Sequence, residues 1–292
     1  NIYIFYGLLF ALAIYGFYKN GLSYVFIGKM NWIDAAKPLF FLGISLIGGT
    51  LYNALKKQPL TKRLFEAILL SLMTPVNFPL WLYTILIVLY YSLKYIRLRV
   101  FVSRILFFKL LLILTSFFLH ITYENSIEAS TPYLYGILDV FLGRAVGNVG
   151  TTSILILIGC FAFLSYQIYY KKEIPLTILI SYGATLFVLE IFFPTGNYFL
   201  NLLNSHIWFA AIFLAPTNEY SPISKKIIAL YSISIGSIPA IFIHFFGFQN
   251  SAYLVIAVFQ VLCFFLRPIS FKESPLYSIC KKCQKSVKLE KK

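Results

Sequence analysis

Apolar runs separated by short polar gaps fill almost the whole chain. Ten stretches stand out, at 2–18, 38–55, 64–79, 80–96, 105–120, 151–170, 175–194, 205–216, 227–247 and 251–267. A helix needs about 20 apolar residues to cross a hydrocarbon core roughly 30 Å thick, and somewhat fewer where protein covers its ends. The pattern therefore predicts an all-α polytopic membrane protein with about ten transmembrane helices. The stretches at 64–79 and 205–216 are short and carry prolines, so these two are expected to be broken or re-entrant. The expected organisation is a transmembrane domain over 1–267, an extracytoplasmic loop over 121–150 and a basic cytoplasmic tail over 268–292.

Composition supports lipid as the solvent. Hydrophobic residues make up 60% of the chain and charged residues 12%, with a mean hydropathy of +0.81. That much apolar surface does not fit inside a water-soluble core. The net charge of +15 then reads as topology rather than as a nucleic-acid footprint. If all ten stretches cross, 20 of the 25 Lys and Arg fall on one side, in alternate gaps and in the tail from Arg267 onward. The opposite gaps hold Lys19, Lys29, Lys37 and Arg144, together with Asp34, Glu124, Glu128 and Asp139. The positive-inside rule puts both termini in the cytoplasm. No basic stretch precedes the first apolar run, which predicts an uncleaved first span and not a signal peptide. Tyr and Phe cluster near span ends, as at Tyr90, Tyr91, Tyr169 and Tyr170, where an interfacial belt is expected.

Soluble-enzyme chemistry has no foothold in this pattern. There is no Gly-rich nucleotide loop, no HExxH and no soluble domain large enough to act alone. Cys160 and Cys263 lie inside spans and are expected to behave as small hydrophobes. Cys280 and Cys283 form a lone pair in the tail, short of the four ligands of a structural zinc site.

Two stretches interrupt the helical pattern in the same way. Thr74-Pro75-Val76-Asn77-Phe78-Pro79 ends the third run, and Ala215-Pro216-Thr217-Asn218-Glu219-Tyr220-Ser221-Pro222 ends the eighth. Each contains Pro-x-Asn and then a further proline, and Pro75 and Pro216 lie 141 residues apart. Five runs followed by five more suggest an internal duplication with halves about 1–120 and 145–267. Proline lacks a donor and disfavours helix in the residue before it, so each stretch should end a helix. Broken backbone cannot face lipid and must be buried or line a wet cavity. Pro75, Asn77, Pro216, Thr217 and Asn218 are thus candidates for an ion or substrate pathway; two ordinary surface loops are the other reading.

A third irregular piece closes the 121–150 loop, where Gly147-Asn148-Val149-Gly150-Thr151-Thr152-Ser153 leads into an apolar helix. Glycine permits close backbone approach, Ser and Thr are good N-caps, and the positive end of the helix suits an anionic group. Among ionisable residues in or near spans, Glu190 is the deepest acid. It is a candidate for binding a cation or relaying a proton; the other readings are a buried carboxyl satisfied by Asn, Ser or Tyr and an interface residue near the Pro194-Thr195-Gly196 turn. His206 is read as interfacial, Lys109 as snorkelling to the cytoplasmic surface, and Glu66 as pairing with Lys62 or Arg63 one turn away.

In combination these pieces resemble the RnfD/NqrB family, the membrane subunits of Rnf and sodium-pumping NADH:quinone oxidoreductase complexes. Residues 67–81 are similar to the family's "LLLxLxLPxxxPLW" segment, and 147–159 to its "GSxGETSxLAxLIGG". Residues 213–222 are similar to "FMATDPVTSP", and the resemblance covers about 60–290. It implies two five-helix repeats with broken helices, in a urea-transporter-like fold. It also implies FMN esterified through its phosphate to a Thr on the non-cytoplasmic side. The matching stretch is Glu128-Ala129-Ser130-Thr131-Pro132, which makes Thr131 the implied attachment residue and Ser130 its neighbour. Gly150, Thr151, Thr152 and Ser153 would then support the flavin at the helix start. The chain departs from the family pattern at Glu128-Ala129, where the family has Ser-Gly, and at Thr151, where it has Glu. It departs again at 95–104, a basic segment without the family's Gly, Asn and Pro.

The resulting expectation is a membrane subunit of an ion-translocating electron-transport complex, acting in the cell (inner) membrane with other subunits of that complex. A channel or transporter for a small polar solute, built on the same fold, is the alternative. A scaffold subunit that carries no cofactor is the third reading.

Overall fold

A computed structural model describes residues 2–26, 31–56, 61–95, 102–121, 136–143, 148–150, 153–167, 170–216, 221–222 and 225–272. Among these, regular structure is helical, and the one isolated bridge joins Pro75 to Asn148. Each apolar stretch of the sequence coincides with a helix. The first half supplies α1 (Ile2–Phe17), α2 (Lys37–Lys56), α3 (Thr61–Leu72), α4 (Leu80–Tyr95) and α5 (Arg104–Phe118). The second supplies α6 (Ile154–Ser165), α7 (Glu173–Phe192), α8 (Ser205–Phe209), α9 (Lys225–Phe246) and α10 (Ser251–Lys272). A π-helical turn, Tyr18–Leu22, extends α1, and a second one, Ala210–Leu214, extends α8.

By length and composition, α2, α7 and α9 are each long and apolar enough to cross a membrane; α4, α6, α10 and the stretch through α8 are shorter apolar helices. Their outer faces carry large apolar side chains in the open, among them Ile47, Leu51, Trp81, Ile180, Phe187, Phe242 and Val258. A surface of that kind is stable against lipid, and the chain is a helical membrane protein. The groove between α2 and α4, about 420 Å³, is lined by Leu51, Leu55, Ile87 and Val88 and is of the same apolar character.

With lipid outside, burying apolar area drives helix association less than it does in water, so close packing and small residues matter more. The most extensive pair, α7 with α9, shows this. A Cβ on Gly236 of α9 would run into the Ser181 hydroxyl and lie 2.5 Å from the Ile178 carbonyl oxygen of α7. Only a glycine lets the two backbones come that near. Next to this crossing Thr185 donates to the Ser237 hydroxyl at 3.1 Å. In the first half α2 packs on α4 in the corresponding way.

One apolar cluster runs across both halves. It holds Leu69, Leu72 and Met73 from the end of α3 with Phe209, Ala210, Leu214 and Ala215 from the end of α8. The ends of the two interrupted helices therefore share one core. Two readings of single residues change. Lys109 does not snorkel; it is 0% exposed, inside this core. His206 is buried and not interfacial. Glu66 pairs with Lys94 of α4 and also accepts from the Tyr90 hydroxyl at 3.4 Å; the side chains of Lys62 and Arg63 lie outside the described residues.

Candidate functional site

The site is best built from the carbonyls that the first break releases. α3 stops at Leu72 because Pro75 has no N–H and disfavours helix at Thr74. The chain then turns, with Phe78 N–H donating to the Pro75 carbonyl at 3.1 Å, and restarts as α4 at Leu80. Leu72, Met73 and Thr74 are left with carbonyls that no following helical turn can satisfy. All three are buried, so each needs a partner from elsewhere.

Each has one. Gly150 N–H donates to the Leu72 carbonyl at 3.2 Å, and Val149 N–H to the Thr74 carbonyl at 2.9 Å. Between them the Lys109 ammonium of α5 donates to the Met73 carbonyl at 2.8 Å and to Asn148 Oδ1 at 3.2 Å. The glycine-rich segment 148–150 is thus laid along the broken end of α3 like a one-bridge strand. A Cβ on Gly150 would collide with the Leu72 side chain, which explains glycine at that position. On the other flank Asn20 donates to the Val149 carbonyl at 3.1 Å and to the Gly16 carbonyl of α1 at 2.9 Å.

Among the described residues, side chains cap the carbonyls at the second break. The π-helical turn closes with Ala215 N–H donating to the Ala210 carbonyl at 2.9 Å. The Tyr170 hydroxyl donates to the Ile212 carbonyl at 2.8 Å and the Tyr231 hydroxyl to the Ala215 carbonyl at 3.1 Å. Gln260 of α10 donates to the Leu214 carbonyl at 3.2 Å, and its Oε1 accepts from Ser103 N–H at 2.9 Å. Beyond Pro216, Lys171 donates to the Ser221 hydroxyl at 2.6 Å and to the Pro222 carbonyl at 3.0 Å.

Two bridges tie these breaks together. Gln260 joins the end of the second break to the start of α5. Lys109 lies 5.1 Å from the centroid of the Tyr253 ring of α10, and the His206 ring meets the Tyr253 ring edge-on at 6.0 Å. His206 N–H is capped by Asn204 at the start of α8, so this chain of contacts runs from the first break to the helix that leads into the second.

Pro75, Asn77, Pro216, Gly150 and Ser153 are among the described residues. Pro75 and Gly150 belong to the seam just described, Asn77 lies half-buried in the same turn, and Pro216 is buried at the exit of the second break. Ser153 is the N-cap of α6, its hydroxyl accepting from Ile156 N–H at 3.4 Å, so this helix starts at Ile154. Glu190 lies at the turn that follows α7. Its carboxylate accepts from Thr195 N–H and Thr195 Oγ1 at 2.9 Å each and from Gly196 N–H at 2.5 Å, with His244 Nδ1 3.8 Å away. It closes the turn after α7. Ser130, Thr131, Thr151, Thr152, Thr217 and Asn218 lie outside the described residues, as do Cys280 and Cys283.

Sequence reasoning passed over Asn20, Asn148, Gln260 and Tyr253. For Lys109 a signal was available: a cation amid the apolar run at 105–120 is costly unless it faces the bundle interior.

No curated protein matches the chain. The family model described as NQR2, RnfD, RnfE matches residues 101–267, from just before α5 to within α10, and takes in Lys109, the glycine-rich segment and the second break. That is more than half of the chain's 292 residues, and the chain belongs to the NQR2, RnfD, RnfE family.

Proposed function

We propose that this chain is a membrane subunit of an ion-translocating electron-transport complex, holding flavin and passing electrons in step with ion movement. Family membership supports the membrane-subunit part. The observation that carries the reading further is the seam. Two helices broken 141 residues apart end in one shared core, with a buried cation and polar groups between them. Buried breaks of that kind are where transporters hold ions and substrates. Ten crossings in two halves, about 1–120 and 145–267, are supported by a helix in every apolar stretch and by the like pairing of α2 with α4 and α7 with α9. The charge bias supports cytoplasmic termini, in a cell (inner) membrane, with the complex's other subunits as partners.

Flavin would supply the redox chemistry, and Thr131 with Ser130 is its proposed anchor, with Thr151 and Thr152 beside the start of α6. The described part of the glycine-rich segment offers it little. The amides of Val149 and Gly150 are already engaged by α3, and the Ser153 hydroxyl caps its own helix. The fit therefore rests on residues 128–132 and 151–152.

The whole chain, purified and denatured, is run on a gel and viewed for flavin fluorescence. A fluorescent band that Thr131→Ala abolishes supports the reading. A colourless protein that speeds the flux of a small polar solute in liposomes replaces it with a channel, and one that is colourless and inert replaces it with a scaffold.

A further inference from the structure

Lys109 satisfies a carbonyl that did not require a charge. At the corresponding place in the second break, Leu214, 141 residues after Met73, has its carbonyl capped by the neutral amide of Gln260. Both caps come from the last helix of their half, α5 and α10. Burying an ammonium is far more costly than burying an amide, so its presence in the first break calls for a cation-specific setting. The surroundings supply one. The ammonium has the Met73 carbonyl oxygen at 2.8 Å, Asn148 Oδ1 at 3.2 Å and the face of the Tyr253 ring at 5.1 Å. Two neutral oxygens, one a main-chain carbonyl from an unwound helix end, together with a π-face are ligands for a weakly hydrated monovalent cation.

We propose that these groups form a monovalent-cation site and that Lys109 is its built-in occupant, a tethered cation in place of a free one. The ligand chemistry selects the class of ion. Magnesium and calcium seek carboxylates. A main-chain carbonyl and an amide oxygen that already hold an ammonium at hydrogen-bonding distance suit potassium, rubidium or ammonium, whose size the lysine head group shares. In the wild-type chain no free ion enters this site, and an ion that moves along the first break must displace the Lys109 head group. This deepens the ion-pathway part of the proposed function and is independent of flavin.

The test uses the full-length chain in detergent, with potassium, rubidium, ammonium or sodium chloride titrated against choline chloride at constant ionic strength. The wild-type thermal midpoint should be indifferent to which cation is present. Lys109→Met empties the site at nearly equal volume, and its midpoint should rise by several degrees, saturably, with potassium, rubidium or ammonium and less with sodium. Adding Asn148→Leu should remove that rise. Lys109→Gln, which keeps a donor for Met73, is measured alongside in case Lys109→Met is isolated only in potassium, an outcome that itself supports the site. The proposal is overturned if both variants respond to potassium as they do to choline, or if neither folds in any of the cations. Loss of flavin fluorescence in the separate Thr131→Ala experiment would leave this result untouched.

Discussion

Asn20 and Val149, 129 positions apart, are joined by a hydrogen bond of 3.1 Å that fastens the glycine-rich segment to the first helix. The contact is possible because Gly16, one turn before Asn20, has no side chain. A Cβ there would strike the Val149 carbonyl oxygen and lie 2.8 Å from its carbon. The obstacle is backbone already fixed by α3, so it cannot swing aside. Gly16→Ala should destabilise the chain by about 1–3 kcal/mol through overpacking. Gly43→Ala in α2, where an added Cβ meets nothing within 4 Å, should be neutral or stabilise by up to about 1 kcal/mol. Thermal midpoints in detergent, followed by circular dichroism, compare the two; equal shifts would refute the close-approach account.

Gln260 holds the halves together by two opposed hydrogen bonds. Gln260→Leu keeps the volume but removes the hydrogen bonds to Ser103 N–H and the Leu214 carbonyl. The expected cost is about 1–3 kcal/mol, since two buried hydrogen bonds are lost. Val258→Leu, on the exposed outer face of the same helix, is the control and should change the midpoint little. A Gln260 variant as stable as the control would show that the bridge does not contribute.

The helices and the two interruptions were legible because a hydrophobic run and a proline act locally. Pro75 and Pro216 end their helices in the way their chemistry demands, and α6 starts at a Ser N-cap. The partners of the released carbonyls were not legible. Nothing near Met73 in the chain points to Lys109, and nothing near Leu214 points to Gln260. These pairings come from three-dimensional packing, and hydropathy reports only which residues avoid water. Glu66 shows the same limit: a helix-spacing rule reaches only Lys62 and Arg63, and the fold adds Lys94 from another helix. The partner of Gly150 is likewise remote in the chain: its N–H donates to the Leu72 carbonyl, and a Cβ there would meet the Leu72 side chain.

Glu190 separates a turn-closing role from a pathway role by experiment. Its carboxylate collects three hydrogen bonds from Thr195 and Gly196. Glu190→Gln keeps an amide oxygen for the N–H groups of Thr195 and Gly196 but removes the negative charge that strengthens those bonds, and its NH2 faces the Thr195 hydroxyl, which can accept. The thermal midpoint should fall, since the charged acceptor that holds the turn is lost. In the assembled complex, ion-coupled turnover per folded molecule should stay near that of the wild type. A turnover loss of tenfold or more without a change in midpoint would make Glu190 part of the ion route instead.

The Glu66–Lys94 pair offers a measure of how strongly charges couple at the margin of this bundle. The side chains are 22% and 12% exposed respectively, so water screens them only in part. Lys94 also lies 5.3 Å from the Tyr52 ring centroid, and Tyr90 donates to the same carboxylate, so the pair belongs to a small network on α2, α3 and α4. Exposed pairs typically contribute up to about 1 kcal/mol, whereas breaking a fully buried one costs about 3–5 kcal/mol. A coupling of about 1–2 kcal/mol is expected between those limits, measured by a double-mutant cycle of Glu66→Gln and Lys94→Met. Raising the salt concentration should reduce it only slightly, because the carboxylate and ammonium are shielded by the Tyr52 and Tyr90 rings. A coupling that vanishes in salt would mean that the two side chains meet in open water and that α3 and α4 are held by apolar packing alone.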